Sequence, residues 1–208
     1  MKKRGRCDMT YNIMTVGVGG QGLMLVSNII GFTCAKIGLN IRTAETHGLA
    51  QRSGSIYTHI RIGDDVLSPL IPYGEADVLL GMEAIETLRY IEYLKPNGSI
   101  ILNNYMWQPV QSTFTRVQNP EKQYISIENI IEQLGKITDS IFRINALDLA
   151  NQAGHSLTSN IVLLGALATI EGFPITKDQL KDVLPNMVPE KAIEANLKAL
   201  SLGFDAVR

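Results

Sequence analysis

The residues best suited to chemistry in this sequence form two groups, a glycine-rich turn and a polar loop. The turn spans residues 15–22, and its candidate binding residues are Gly17, Gly19, Gly20, Gln21 and Gly22. Three of its glycines match the G-x-G-x-x-G spacing, which permits a tight connection between a strand and a helix. The first amides of that helix could bind a phosphate or another anion. The same turn can also serve packing alone, and the sequence leaves both interpretations open.

The polar loop follows the second predicted strand. Its candidate residues are Glu45, His47, Gln51, Arg52 and Ser53. Glu45 ends that strand, where an acidic residue binds ribose hydroxyls in dinucleotide enzymes. Arg52 offers a fork of donors to an anion or to a carboxylate of a partner. His47 titrates near neutral pH, but no base or nucleophile is predicted beside it, so we assign no catalytic residue. A solvated loop is the simpler alternative.

Two kinds of cofactor site are not expected in this chain. Its two cysteines, Cys7 and Cys34, cannot supply the ligands of an iron–sulfur cluster. The magnesium motif of thiamine diphosphate enzymes is approximated by residues 63–65 and Asn103, but its second glycine is missing and the spacing is too long. The sequence therefore predicts no metal bound by this chain.

The order of the predicted elements indicates an α/β protein with a Rossmann-like three-layer fold, a mostly parallel sheet and a helical C-terminal part. The alternation of strands and helices predicts parallel strands with right-handed crossovers. The carboxyl ends of the strands would gather the glycine turn, the polar loop, residues 81–83 and residues 103–104. Trp107 is predicted to cover this edge or to contact another subunit. Residues 159–168 are apolar on every side, which suggests a subunit interface.

Length and composition predict one domain, residues 9–208, after a disordered basic tail, residues 1–8, with Met9 as an alternative start. The formal net charge of −1 gives no electrostatic reason to expect nucleic acid. No apolar run is long enough to span a membrane comfortably, and no secretory signal is apparent. We therefore expect a cytoplasmic protein that binds neither nucleic acid nor membrane.

Five separated motifs together resemble the gamma domain of the 2-oxoacid:ferredoxin oxidoreductases. Within that family the sequence is most similar to the indolepyruvate type. The motifs occupy residues 17–22, 45–55, 76–81, 160–165 and 196–200. The polar loop is the most diagnostic of them, because the glycine motif alone is common.

The resemblance implies a subunit of an anaerobic, often archaeal, enzyme that is inactive alone. The family decarboxylates a 2-oxoacid on thiamine diphosphate, passes electrons through [4Fe–4S] clusters to ferredoxin, and transfers the acyl group to coenzyme A. Aryl pyruvates are the substrates of the indolepyruvate type. Thiamine diphosphate, Mg²⁺ and the clusters would belong to a large partner subunit. Coenzyme A would be a co-substrate that this chain could contact, and the isolated chain could form homodimers.

Three alternatives remain at this point. The chain could be the gamma subunit of a pyruvate or 2-oxoisovalerate enzyme. It could be an independent NAD(P)-binding oxidoreductase, which the glycine turn and Glu45 weakly favour. A non-catalytic assembly subunit is the third alternative.

Overall fold

A single six-stranded sheet organises the chain. The computed structural model describes residues 10–47, 54–107 and 125–207, with the backbone alone at His47. The strands are β1 (Tyr11–Val18), β2 (Ile41–His47), β3 (Ser55–Ile62), β4 (Ala76–Gly81), β5 (Leu94–Asn103) and β6 (Ile141–Ile144). Their spatial order is β2-β3-β1-β4-β5-β6.

Five of the six strands run in the same direction. β1, β4, β5 and β6 pair in parallel, whereas β3 lies antiparallel between β1 and β2. The mostly parallel sheet is confirmed, but the uniform alternation of strand and helix was wrong at β3. Only residues 48–54 connect β2 to β3, and so short a connection favours an antiparallel pair.

Seven α-helices occupy the described part of the chain. They are α1 (Leu23–Ile37), α2 (Ala84–Arg89), α3 (Ile127–Leu134), α4 (Ala146–Ala153), α5 (Ser159–Leu167), α6 (Lys177–Val183) and α7 (Ile193–Asp205). Ser126 and Thr176 begin α3 and α6 with capping boxes, as their positions before the apolar periodicity predict. None of these described helices combines the length and the hydropathy that crossing a bilayer requires.

The sheet separates two apolar cores, which confirms the three-layer prediction. On one face, Ile13 and Val78 pack with residues of α1, α4, α5, α6 and α7. On the other face, Met14 and Leu79 pack with residues of α2 and α3. Because side chains alternate along each strand, neighbouring residues of β1 belong to opposite cores.

Helix α5 is buried within its own chain. All residues from Asn160 to Leu167 are buried, and α7 packs against them. A Cβ atom on Gly203 would lie 1.8 Å from the Val162 carbonyl oxygen, and one on Gly165 would lie 2.1 Å from that of Leu200. Gly203 therefore lies inside α7, where it permits close contact between the helices. Burial by α7 also removes the reason to infer a subunit interface from α5.

Candidate functional site

The glycine turn joins β1 to α1 at the carboxyl edge of the sheet. Gly20 and Gly22 adopt left-handed φ angles of 97° and 76°, which side chains disfavour. The side chain of Gln21 closes the turn: its Oε1 accepts from the Val18 amide at 2.8 Å, and its Nε2 donates to the Met82 carbonyl at 3.1 Å. The turn is thus tied to β4 by one amide side chain.

The glycine spacing reflects contacts inside the chain. A Cβ on Gly17 would lie 2.5 Å from Gln21 Oε1 and 2.9 Å from Met82 Cβ. A Cβ on Gly22 would lie 2.4 Å from Asn160 Nδ2. These two glycines leave room for Gln21 and Asn160, so packing is sufficient to explain them.

Several turn amides are already engaged in hydrogen bonds. The Val18 amide donates to Gln21 Oε1, the Gly19 amide donates to the Gly54 carbonyl at 3.0 Å, and the Gln21 amide donates to the Val18 carbonyl at 3.3 Å. Only the remaining amides of the turn and of the first turn of α1 could face an anion. This arrangement reduces the number of donors that a phosphate could use.

Two asparagines brace the same edge. Asn103 at the end of β5 donates to the Met82 carbonyl at 3.0 Å and accepts from the Ala146 amide at 3.3 Å. Asn160 at the start of α5 donates to the Gly22 carbonyl at 3.2 Å. The side chains of Gln21, Asn103 and Asn160 therefore link β1, β4, β5, α4 and α5. Their hydrogen bonds pair polar groups that would otherwise be buried without a partner.

A cavity of about 400 Å³ opens beside these amides, and we call it the carboxyl-edge cleft. Its described lining carries no Asp, Glu, Lys, Arg or His. The lining residues are Val18, Gly19, Gly20, Gln21, Met82, Asn103, Tyr105, Trp107, Leu147, Ser156, Leu157, Ser159, Asn160 and Leu163. The cleft can hold an uncharged group with a large apolar surface.

Glu83 holds one wall of the cleft. Its side chain is 1% exposed; Oε2 accepts from the Glu86 amide at 2.8 Å, and Oε1 accepts from the Trp107 amide at 2.8 Å. Burial raises the pKa of Glu83, and the charge of Glu86 adds to that rise, while the amide hydrogen bonds oppose it. Burial, together with the nearby charge of Glu83, also raises the pKa of Tyr105. The carboxyl group thus fixes residues 105–107 over the end of β4.

A second cavity, of about 670 Å³, lies at the amino ends of the strands, and we call it the amino-edge groove. Asp77 and Lys95 form an ion pair there, and Asp77 Oδ2 accepts from the Asn12 amide at 2.7 Å. The buried Tyr11 hydroxyl also borders the groove and has no hydrogen-bond partner within the described residues. Burial first, and then the Asp77 charge, raise the pKa of Tyr11, so the phenol stays protonated.

No group of three or more His, Cys, Asp or Glu side chains that could hold a metal ion occurs in residues 10–47, 54–107 and 125–207. The described part of the carboxyl edge therefore offers hydrogen-bonding amides and apolar surface as its binding groups.

Comparison with known proteins shows the family of this chain. The model of the pyruvate ferredoxin/flavodoxin oxidoreductase family matches residues 12–206. The chain belongs to that family. It is 39% identical over 198 residues to the indolepyruvate oxidoreductase subunit IorB of Pyrococcus horikoshii, covering 95% of this chain and 96% of that subunit.

Solved structures show the same fold. The gamma subunit of a keto/oxoacid ferredoxin oxidoreductase from Geobacter sulfurreducens has a TM-score of 0.68 at 24% identity, covering 95% of this chain and 98% of that one. A 2-oxoglutarate:ferredoxin oxidoreductase chain from Magnetococcus marinus, solved with 2-oxoglutarate, coenzyme A and succinyl-CoA, also has a TM-score of 0.68, at 20% identity. There the match covers 95% of this chain and 31% of the other, so the family's fold also occurs within a longer polypeptide.

The predicted site residues fall into three groups by position: those beside the cleft, Glu45 in β2, and those outside the described residues. The glycine turn, including Gln21, lies at the carboxyl edge beside the cleft. Glu45 lies in β2, opposite Thr58 of β3, and Thr58 in turn lies opposite Thr15 of β1. An entire strand, and so about 10 Å, separates Glu45 from β1, and this geometry does not favour a ribose site like that of a dinucleotide enzyme. Gln51, Arg52 and Ser53 lie outside the described residues, as does the His47 side chain.

Glu83 and the two bracing asparagines were not among the predicted site residues. The sequence placed residues 81–83 at the carboxyl edge, but it could not show that the Glu83 side chain turns inward. A signal was present: Glu83 lies two residues after the last residue of a buried strand and directly before a helix, where an acidic residue caps the first amides. Trp107 was predicted to cover an edge, and it lies along this cleft.

Proposed function

We propose that this chain is the small, cluster-free subunit of an indolepyruvate-type 2-oxoacid:ferredoxin oxidoreductase. The complex would convert an aryl pyruvate and coenzyme A into an acyl-CoA and carbon dioxide, with two electrons passing to ferredoxin. The observation that carries this proposal is the 39% identity to an indolepyruvate oxidoreductase subunit along almost the whole length of both chains. The reaction would take place in the cytoplasm.

The redox groups belong, in this proposal, to a large partner subunit. A [4Fe–4S] cluster takes four cysteine ligands, and this chain has only two cysteines, so its residues do not fit such a group. The thiamine motif that residues 63–65 approximate lacks its second glycine. Thiamine diphosphate, Mg²⁺ and the clusters would therefore be bound by the partner, and the pair would act as one enzyme.

The carboxyl edge is the part of this chain that would face the partner's active site or coenzyme A. Its glycine turn, Glu45, His47, Gln51, Arg52 and Ser53 remain the proposed contact residues. The mouth of the cleft carries three exposed apolar side chains, those of Trp107, Leu147 and Leu157. They support contact with a partner, because removing apolar surface from water is favourable. We expect Arg52→Ala to lower acyl-CoA formation in the assembled complex and to leave the fold of the free chain intact; unchanged turnover would contradict a site role for Arg52.

Anaerobic affinity purification tests the proposal. The tagged chain, purified from its native source, should bring down a large iron–sulfur protein. That complex should reduce a viologen dye only when indolepyruvate and coenzyme A are both present. Pyruvate and 2-oxoisovalerate serve as matched substrates, and a preference for either would assign the chain to the corresponding related enzyme. A chain recovered alone, inactive with all three oxoacids and able to bind NAD(P), would overturn the proposal.

A further inference from the structure

We infer that Glu86 is a positioning residue for the reaction of the complex, acting through the hydroxyl of Ser55 on the C-terminal end of the polar loop. This inference rests on the proposed function, in which that loop faces the partner's active site or coenzyme A. The placement of the loop's end therefore depends on a side chain of α2, which lies outside the loop.

Glu86 lies in the first turn of α2 and carries a buried carboxyl group with two partners. Its side chain is 8% exposed; Oε2 accepts from the Ser55 hydroxyl at 2.6 Å, and Oε1 accepts from Arg89 Nε at 3.3 Å. The Ser55 contact has the length of a hydrogen bond to an ionised acceptor, which is about twice as strong as one between neutral groups. The shorter of the two bonds thus joins α2 to the start of β3.

Tyr90 holds the same hydroxyl from the end of α2. The Ser55 and Tyr90 hydroxyl oxygens lie 2.9 Å apart. A serine hydroxyl has one proton, and its bond to Glu86 uses that proton, so Tyr90 donates to Ser55. Because Glu86 and Tyr90 are four positions apart in sequence, they project from one side of the helix. One face of α2 therefore holds a single side chain of β3 with two hydrogen bonds.

Ser55 lies where the polar loop meets the glycine turn. It begins β3 and is paired with Val18, the last residue of β1. The carbonyl of the preceding residue, Gly54, accepts from the Gly19 amide at 3.0 Å. These pairs end an antiparallel ladder, and the ends of ladders open more easily than their centres. The side-chain bond to α2 adds a restraint at the point where the backbone ladder holds least firmly.

The same turn of α2 also holds the wall of the carboxyl-edge cleft. Glu83 accepts from the Glu86 amide through Oε2 and from the Trp107 amide through Oε1. Glu83 and Glu86 thus fix residues 105–107 and the end of the polar loop relative to one short helix. Since a displacement of about 1 Å can lower a reaction rate about a hundredfold, this restraint matters more to turnover than to folding.

The buried charge of Glu86 is costly for a residue that serves packing alone. A carboxylate loses water when it is buried, and an apolar side chain of similar size would avoid that cost. Arg89 is 58% exposed, and an ion pair so accessible to water contributes little stability. The bond to Ser55 requires an acceptor at residue 86, which supports positioning as the role of this carboxyl group.

Steady-state kinetics of the assembled complex test the inference. Complexes that contain each variant chain would be purified anaerobically at equal stoichiometry, and acyl-CoA formation would be measured with indolepyruvate and coenzyme A. We expect Ser55→Ala to lower kcat/KM about tenfold for the substrate that the loop contacts, while the yield of complex and its melting temperature change little. Ser55→Thr keeps the hydroxyl and should retain most of the activity.

Two variants of α2 give a matched comparison at the same carboxyl group. Glu86→Ala should reproduce the loss of kcat/KM seen with Ser55→Ala. The double variant Ser55→Ala/Glu86→Ala should be no less active than Glu86→Ala alone, because both changes remove the same bond. Arg89→Ala removes the other partner of Glu86 and should leave kcat/KM unchanged.

The outcomes separate this inference from the proposed function. Unchanged kcat/KM for both Ser55→Ala and Glu86→Ala would overturn the inference and leave the subunit assignment standing. A loss that Arg89→Ala shares would also overturn it, as would a loss explained by a matching fall in assembled complex, since neither acts through the Ser55 hydroxyl. A complex of the natural chain that is inactive with every oxoacid tested would overturn both.

Discussion

The polar groups at the two edges of the sheet lie in different environments. At the carboxyl edge, amide side chains bond to neighbouring backbone groups and leave an uncharged cleft with an apolar rim. At the amino edge, an ion pair and exposed polar groups surround a groove that is open to water. Water satisfies charged groups well and apolar surface poorly. The two described edges therefore present different chemistry to a ligand: apolar surface with paired amides at the carboxyl edge, and charged groups at the amino edge.

Gly17→Ala should have the largest effect of the substitutions that test this difference. The new methyl group would clash with Gln21 Oε1 and with Met82 Cβ, and we expect the free energy of unfolding to fall by about 3 kcal/mol. Urea denaturation measures this loss. In a Gln21→Ala background the methyl group has more room, so the same substitution should cost less. Equal losses of unfolding free energy in both backgrounds would show that the Gln21 side chain is not what clashes with the new methyl group.

Glu83→Ala should lower the free energy of unfolding by about 2 kcal/mol, because the amides of Glu86 and Trp107 would lose their acceptor. The emission of Trp107 should also shift to longer wavelength as residues 105–107 loosen. Glu83→Gln is the control, since its carbonyl oxygen can still accept one hydrogen bond. An alanine variant with unchanged emission would show that Glu83 does not position Trp107.

The pH dependence of stability provides a finer test at the same residue. Burial raises the pKa of Glu83 in the folded state, so the folded chain binds this proton more tightly than the unfolded chain does. The stabilising contribution is complete below the unfolded pKa, about 4.3, and is lost as pH rises through the folded pKa. Relative to Glu83→Gln, the natural chain should therefore lose stability from about pH 4.3 upward. Urea titrations of both proteins at several pH values measure the difference, and a constant difference would contradict the expected shift.

At the amino edge, Asp77→Asn should cost only about 0.5 to 1 kcal/mol, because an amide oxygen can still accept from Asn12 while Lys95 remains partly exposed. The loss should shrink in high salt, which screens the ion pair. Chemical denaturation in low and high sodium chloride measures both effects. If Asp77→Asn lowered the free energy of unfolding as much as Gly17→Ala does, the two edges would not differ in the way described.

Tyr11→Phe should have the smallest effect. The Tyr11 hydroxyl is buried without a described partner, so its removal should leave the melting temperature unchanged or raise it slightly. Tyr73→Phe, on an exposed ring, is the comparison variant. A clear loss of stability for Tyr11→Phe alone would show that the hydroxyl does have a partner at the amino edge.

Local sequence patterns were sufficient to predict a mostly parallel sheet, the glycine turn and the capped starts of α3 and α6. The use of the turn could not be predicted, because Gln21 bonds to Met82, which lies 61 residues further along the chain. The distance of Glu45 from β1 could not be predicted either, since it depends on β3 lying between two parallel strands. The burial of α5 follows from its contact with α7, which two glycines permit. Contacts between distant residues decided each of these points.

Helices α5 and α7 approach each other so closely at Gly165 and Gly203 that neither can slide past the other without a backbone clash. Their central amides should therefore exchange hydrogen only when the whole chain unfolds. Ser159, Asn160 and Leu163 of α5 line the carboxyl-edge cleft. A ligand entering the cleft would thus meet, on the side of α5, a wall whose shape does not change on binding.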